Sequence, residues 1–306
     1  MLSEIFYWVL NMSILASLAG LIVYALGKIK SLPRFGIYLL WLLPGFRFWL
    51  PVGLASKYSL SHLLFRYVTK TIVVWESADQ SPVFTMTNSI RAASHYFPLT
   101  FRSQLLAEIF RVGALVWLIV AAGMILSSLS LYIFTKEAVK DAEPLRDNVY
   151  LSDKLLSPAV YGVMKPKIIL PSNTSLQELD LIIRHETVHI QRKDNFWRIL
   201  AVLTACLHWF NPLVWIFLKQ LISDMELACD AKVAKDLPLA ARKEYARLLL
   251  RYSQTRSAYA SAFGGAKTRI RIENILSYKK LTVLSAICFS LFFVIVAVTV
   301  ITNAAG

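Results

Sequence analysis

Four long apolar runs punctuate this 306-residue chain, separated by mixed stretches. The first, about Ile5 to Leu26, follows Glu4, carries no internal charge and is closed by Lys28 and Lys30. It suits a bilayer core, which takes ~20 helical residues to cross. A signal peptide would need a basic start and a small-residue cleavage site, and the run has neither. The second, about Phe35 to Leu54, contains Arg47 and Pro44-Gly45. The arginine must face the bundle or reach the interface, and the Pro-Gly pair predicts a kink. The third, about Val112 to Phe134, and the fourth, about Leu281 to Ile301, are free of charge. The pattern predicts four transmembrane helices.

Between the third and fourth runs the periodicity changes. Val160-Tyr161-Gly162-Val163 and Lys167-Ile168-Ile169-Leu170 read as two short strands joined by Met164-Lys165-Pro166. Pro171 to Ser175 is a helix start signal, with Ser175 as N-cap and Glu178 three residues on. Leu176, Leu179, Ile182 and Ile183 follow at helical spacing and predict a buried face. On this helix lies His185-Glu186-Thr187-Val188-His189. Histidines four apart share a helix face, so both imidazoles can reach one Zn²⁺, and Glu186 between them is placed as general base. Glu226, in the apolar stretch Met225-Glu226-Leu227-Ala228-Cys229-Asp230, is the candidate third ligand. Asp230, one turn on, is placed to accept the outer N–H of a ligand histidine. A His₂Glu set keeps the fourth position open, as catalysis requires, and the site calls for one Zn²⁺ per chain.

Phe196 to Leu221 is apolar enough to pass for a further span. Crossing there would put His189 and Glu226 on opposite sides of a ~30 Å layer, where they could not share a metal. Asn211-Pro212 divides the run, and Pro212 suits a helix start. The expectation is a hairpin, about Asn195 to Phe210 and Pro212 to Val233, whose Trp197, Trp209 and Trp215 pack on the bilayer or the transmembrane bundle.

Composition agrees with a membrane setting: 57% of residues are hydrophobic and the mean hydropathy is +0.54. Lys28, Lys30 and Arg34 crowd the loop after the first run, Lys136 and Lys140 follow the third, and Lys279 and Lys280 precede the fourth. The positive-inside rule places these regions in the cytoplasm and both termini outside. The loop from about Ala55 to Ile109 is then outside despite Lys57, Arg66, Lys70, Arg91 and Arg102, and its Tyr96, Phe97 and Phe101 suggest contact with the interface. The net charge of +14 reads as adhesion to the inner leaflet; no basic–aromatic pattern favours direct nucleic-acid binding. Cys206, Cys229 and Cys288 lack metal spacing, and Cys229 reads as a small core residue near the site. Tyr245 is a candidate oxyanion donor, with simple packing on an amphipathic helix as the stronger alternative. His208 reads as structural.

Taken together, His185 to His189, His208-Trp209-Phe210-Asn211-Pro212, Glu226 to Asp230 and Gly162 to Pro171 resemble the membrane metalloprotease portion of the beta-lactam-sensing signal transducers, the family of the methicillin-resistance sensor. The resemblance implies a mainly α membrane protein of the bacterial cell membrane, with four transmembrane helices. A cytoplasmic gluzincin-like α+β zinc protease domain would lie between spans three and four. The corresponding divisions are 1–134, 135–280 and 281–306. It implies His185, His189 and Glu226 as zinc ligands, Glu186 as catalytic base and Asp230 supporting a ligand from behind. It further implies proteolysis of the chain itself or of a cytoplasmic repressor; a homodimer stays open. The extracellular penicillin-binding domain of those sensors is expected to be missing, and with it any serine able to react with a beta-lactam. The flexible-looking basic stretch Phe263 to Arg271 is a candidate self-cleavage region. Two other readings remain: a receptor or scaffold subunit with structural zinc, and a housekeeping quality-control protease.

Overall fold

The computed structural model describes residues 1–50, 55–60, 71–75, 84–88, 104–254, 268–280 and 282–304. Among the described residues, three helices are long and apolar enough to cross a membrane: α1 (Leu2–Gly27), α4 (Gln104–Ala138) and α10 (Val283–Ile301). The third run thus continues as helix beyond both of its expected ends. The second run forms two shorter helices, α2 (Arg34–Leu40) and α3 (Leu42–Trp49). The break falls at Trp41, before the Pro44-Gly45 pair that had predicted it.

Arg47 solves its burial problem by capping. Its side chain is almost fully buried, and it donates from Nε to the Val300 carbonyl at 2.9 Å and from Nη2 to that of Thr302 at 2.7 Å. These carbonyls lie at the C-terminal end of α10, where a cation is favourable. Just beyond that end, β8 (Asn303–Ala304) pairs in parallel with β1 (Ala55–Ser56). An antiparallel pair, β2 (Thr71–Trp75) and β3 (Phe84–Asn88), lies in the loop after α3. Arg66, Arg91, Tyr96, Phe97, Phe101 and Arg102 of that loop lie outside the described residues.

The segment after α4 builds a four-stranded sheet: β4 (Glu143–Arg146), β5 (Val149–Ser152), β6 (Ala159–Tyr161) and β7 (Lys167–Pro171), in the order β4-β5-β7-β6. β6 and β7 are the expected antiparallel pair; β5 runs parallel to β7, and β6 ends the sheet. Gly162 leaves β6 with φ +89, a conformation that other residues rarely adopt.

Among the described residues, five more helices follow the sheet before α10: α5 (Leu176–Gln191), α6 (Asp194–Leu207), α7 (Pro212–Lys235), α8 (Leu239–Gln254) and α9 (Thr268–Leu276). The α6–α7 hairpin is as expected. The Asn211 side chain accepts from the Leu213 N–H and caps α7, and Pro212 occupies its first turn. The hairpin buries its apolar face in the bundle. Ala205, Val214, Phe217 and Leu218 form one core with Ala16, Ala19 and Val23 of α1, Ile37 and Leu40 of α2, and Val296 and Val300 of α10. The expected tryptophan contacts are there: Trp209 packs with Val9, Met12 and Trp117, and Trp197 with Tyr38, Met225 and Ala228. α1 comes so close to α7 that a Cβ at Gly20 would lie 2.2 Å from the Phe217 ring. A second core joins the sheet (Val149, Ile168, Leu170) to α5 (Ile182, Val188), α7 (Cys229, Val233), α8 (Tyr245, Leu248) and α9 (Ile275). The site lies where these two cores meet.

Candidate metal centre

His185 and His189 lie on the buried face of α5, with ring centroids 4.8 Å apart. Their Nε2 atoms face each other at 3.2 Å. Glu226 arrives from α7: Oε2 lies 3.7 Å from His185 Nε2, and Oε1 lies 3.7 Å from His189 Nε2. Ligand atoms ~2.05 Å from a tetrahedral zinc sit ~3.3 Å apart, so this spacing fits a single ion with little adjustment. Glu186 is buried beside them and makes no side-chain hydrogen bond among the described residues.

Each histidine is held from behind at Nδ1. For His189 the partner is Asp194 Oδ2 at 2.6 Å. Sequence reasoning missed this residue. Lys193 takes a left-handed conformation, φ 56, that turns the chain sharply between α5 and α6 and brings Asp194 back to the histidine. Arg192 steadies the same carboxylate from Nε at 3.2 Å and from Nη2 at 2.6 Å. For His185 the partner is Tyr245, whose hydroxyl lies 2.6 Å from Nδ1 and donates to Asp230 Oδ1 at 2.6 Å. Asp230 itself stands 3.6 Å from His185 Nδ1, so the expected direct bond becomes a relay through Tyr245. The tyrosine hydroxyl is committed to this relay, which argues against its acting as an oxyanion donor.

Arg271 was equally unexpected. Thr268 to Arg271, read from sequence as part of a flexible basic loop, begins helix α9; Phe263 to Lys267 lie outside the described residues. Arg271 is 5% exposed and forks onto Asp230, from Nε to Oδ2 at 2.7 Å and from Nη2 to Oδ1 at 2.8 Å. Its Nη1 stands 3.2 Å from Glu226 Oε2, while Arg198 Nη2 donates to Glu226 Oε1 at 2.7 Å. Burial disfavours a charged Glu226, but Arg271 first, then His189, His185 and Arg198, outweigh it and hold the carboxyl well below its usual range. For His189, burial works against the charged form, but Cys229, Glu226 and Asp194 outweigh it and raise the imidazole pKa to about 9.

Cys229 offers a rival donor set. His185, His189 and Cys229 lie close enough together to hold an ion, and the thiol sits 3.4 Å from His185 Nδ1. That nitrogen, however, already faces the Tyr245 hydroxyl, whereas the two Nε2 atoms face each other and Glu226. His208 lies elsewhere, buried with Nε2 3.1 Å from the Phe48 carbonyl, as a packing residue.

A cleft of about 380 Å³ opens over the cluster. One wall is Ser157, Pro158, Ala159 and Val160 at the sheet edge; another is Leu248, Leu249 and Tyr252 of α8. Asn195 Nδ2 donates to the carbonyls of Val160 at 2.9 Å and Gly162 at 3.0 Å, pinning β6 to the first turn of α6.

A helix-borne His/Glu cluster, backed by carboxylates and open to a cleft along a strand edge, thus lies in a chain whose described residues include three helices long and apolar enough to cross a membrane. Residues 7–276 match the family described as BlaR1 peptidase M56, and the chain belongs to that family. Among its relatives is the regulatory protein BlaR1 of Bacillus licheniformis, 31% identical over 144 residues that make up 45% of this chain and 23% of the relative. Another is the methicillin resistance mecR1 protein of Staphylococcus aureus, 30% identical over 112 residues, 35% of this chain and 19% of the relative. The matched stretch thus spans about a fifth of the length of these relatives. The chain does contain one Ser-x-x-Lys spacing, Ser277-Tyr278-Lys279-Lys280. Ser277 follows α9 and its hydroxyl donates to the Glu273 carbonyl at 2.6 Å, a helix-end serine.

Proposed function

We propose that this chain is a membrane-embedded zinc endopeptidase that acts in signalling, cutting itself or a cytoplasmic regulator such as a transcriptional repressor. The observation that carries the reading is the convergence of His185 Nε2, His189 Nε2 and the Glu226 carboxylate at zinc-ligand spacing, with Glu186 alongside and a cleft above. These three residues would hold the ion, and Asp194 and the Tyr245–Asp230 relay fix the imidazoles so that their Nε2 atoms stay turned inward. When bound, zinc acidifies water and polarises a scissile carbonyl. Glu186 takes the proton of the attacking water and delivers it to the leaving amine. Arg198 and Arg271 steady the Glu226 carboxylate. The substrate lies extended along the Ser157–Val160 end of the sheet edge, where main-chain pairing selects an unfolded segment.

In this reading the α2–α3 pair crosses the bilayer as a broken second span, giving four spans with both termini outside and the site at the cytoplasmic face. Regulation by repressor cleavage is supported by the regulatory and resistance names of the relatives. A structural-zinc reading draws on the Cys229 contact, because cysteine is the usual ligand of closed sites. Glu186→Gln separates the two. Retained zinc with loss of all cleavage and signalling is expected for an enzyme. Retained zinc with unchanged signalling would favour a scaffold.

A further inference from the structure

The site is assembled from elements that follow α4, yet a seven-residue helix from the N-terminal region reaches three of the helices around it, α6, α7 and α9. α2 sits between the bundle and the cluster. Tyr38, buried on α2, donates its hydroxyl to Asp194 Oδ1 at 3.1 Å, and the other oxygen of Asp194 holds His189 Nδ1. Trp41, at the end of α2, donates from Nε1 to Asp224 Oδ2 at 2.8 Å. Asp224 lies two residues before Glu226 on α7. Arg34, at the start of α2, donates from Nε to Asn274 Oδ1 at 2.9 Å. Asn274 lies three residues after Arg271 on α9. The Arg192 guanidinium stacks over the Tyr38 ring at 4.6 Å, so ring and hydroxyl together close the back of the Asp194 carboxylate.

We infer that Tyr38 is a positioning residue for the metal site, acting through Asp194 on His189, and that α2 is the element by which the membrane region sets the geometry of the cluster. The inference rests on the zinc reading above. Its physical content is simple. Asp194 is fully buried and must keep one oxygen on His189. The Tyr38 hydroxyl shares the other oxygen with Arg192 Nε and, together with the Arg192 fork, fixes the rotation of the carboxylate. A shift of α2 relative to α6 would leave the carboxylate to the Arg192 fork alone and loosen its hold on the imidazole. Trp41 and Arg34 join the same helix to the ligand helix α7 and to α9. A displacement of α2 therefore reaches the donors together.

The test is zinc affinity of the detergent-purified full chain, read by chelator competition. Wild type is compared with Tyr38→Phe, Asp194→Asn, their double variant and Trp49→Phe. Loss of a carboxylate behind a ligand histidine weakens metal binding about 10–100-fold. Asp194→Asn should fall in that range, and Tyr38→Phe, which keeps the ring over Arg192, should weaken binding about 3–10-fold, being one bond further out. The double variant should match Asp194→Asn alone, because Tyr38 acts only through that carboxylate. Trp49→Phe deletes a comparable hydrogen bond, Nε1 to Thr204 Oγ1 at 2.8 Å, without touching this chain of contacts, and should leave affinity unchanged. The melting temperature of the metal-free protein separates positioning from general damage. A Tyr38→Phe protein that melts normally yet binds zinc less tightly supports the inference. If Tyr38→Phe does not accumulate in membranes, Trp41→Phe is measured in its place, with the same expected 3–10-fold loss. Wild-type affinity in the α2 variant, or effects of Tyr38→Phe and Asp194→Asn that simply multiply, would overturn it. A wild-type chain that takes up no zinc would remove the proposed function and this inference together.

Discussion

Replacing Arg271 with methionine keeps much of its apolar stem and deletes its charge. Two charge-assisted hydrogen bonds to Asp230 and the contact with Glu226 then vanish. Asp230 has no exposure to solvent, so water cannot take the place of the guanidinium. It would keep only the Tyr245 hydroxyl, and Glu226 would keep Arg198 on its other oxygen. Removing one partner of a buried ion pair costs about 3–5 kcal/mol, because the remaining charge is left uncompensated. Larger proteins lose about 2 °C of melting temperature per kcal/mol, so the metal-free Arg271→Met chain should melt roughly 6–10 °C below wild type. Tryptophan fluorescence of the detergent-solubilised protein during heating is a sufficient assay. Asp230→Asn, measured alone and combined with Arg271→Met, completes a double-mutant cycle. The double variant should cost less than the sum of the singles, since each single already breaks the pair. A shift under about 1 °C, or strict additivity, would show that Arg271 is not locked in the cluster as described.

Two other substitutions probe the surroundings. Arg47→Met removes both donors to the end of α10 and should destabilise the chain by about 2–4 kcal/mol, seen as a lower melting temperature and faster proteolysis near that helix end. Asn195→Ala frees the Val160 and Gly162 carbonyls, and hydrogen exchange in β6 should accelerate by about 5–30-fold, corresponding to 1–2 kcal/mol, with KM for a peptide substrate rising more than kcat falls.

The parts of the site that were legible in the sequence are those that helical periodicity fixes locally. His185 and His189 share a face because they are four apart, and Glu226 was found because a carboxylate in an apolar helix needs a partner. The hairpin was legible because Asn211-Pro212 is both a stop and a start. What supports the histidines was not legible, for separate reasons. Asp194 depends on a left-handed turn at Lys193, which has no strong sequence signature in a residue other than glycine or asparagine. Its position at the first turn of a helix, five residues after His189, is the signal that was available. Tyr245 and Arg271 reach Asp230 from separate helices, and spacing along the chain says nothing of such meetings. Arg271 in particular sits among other basic residues that look like a solvated run. The strands β4 and β5 are four residues each, too short for alternation to stand out. The second apolar run breaks at Trp41, where the indole is drawn to Asp224; that partner lies on α7 and leaves no mark in the local pattern.

The measurement that bears most directly on the central claim is the zinc content of purified wild type beside Glu226→Ala and Cys229→Ala. The account predicts about one zinc per chain in wild type and in Cys229→Ala, and its loss in Glu226→Ala, because the Nε2 atoms of His185 and His189 face Glu226 while the thiol lies on the Nδ1 side. Zinc kept by Glu226→Ala and lost by Cys229→Ala would contradict it and move the ion to the other side of His185.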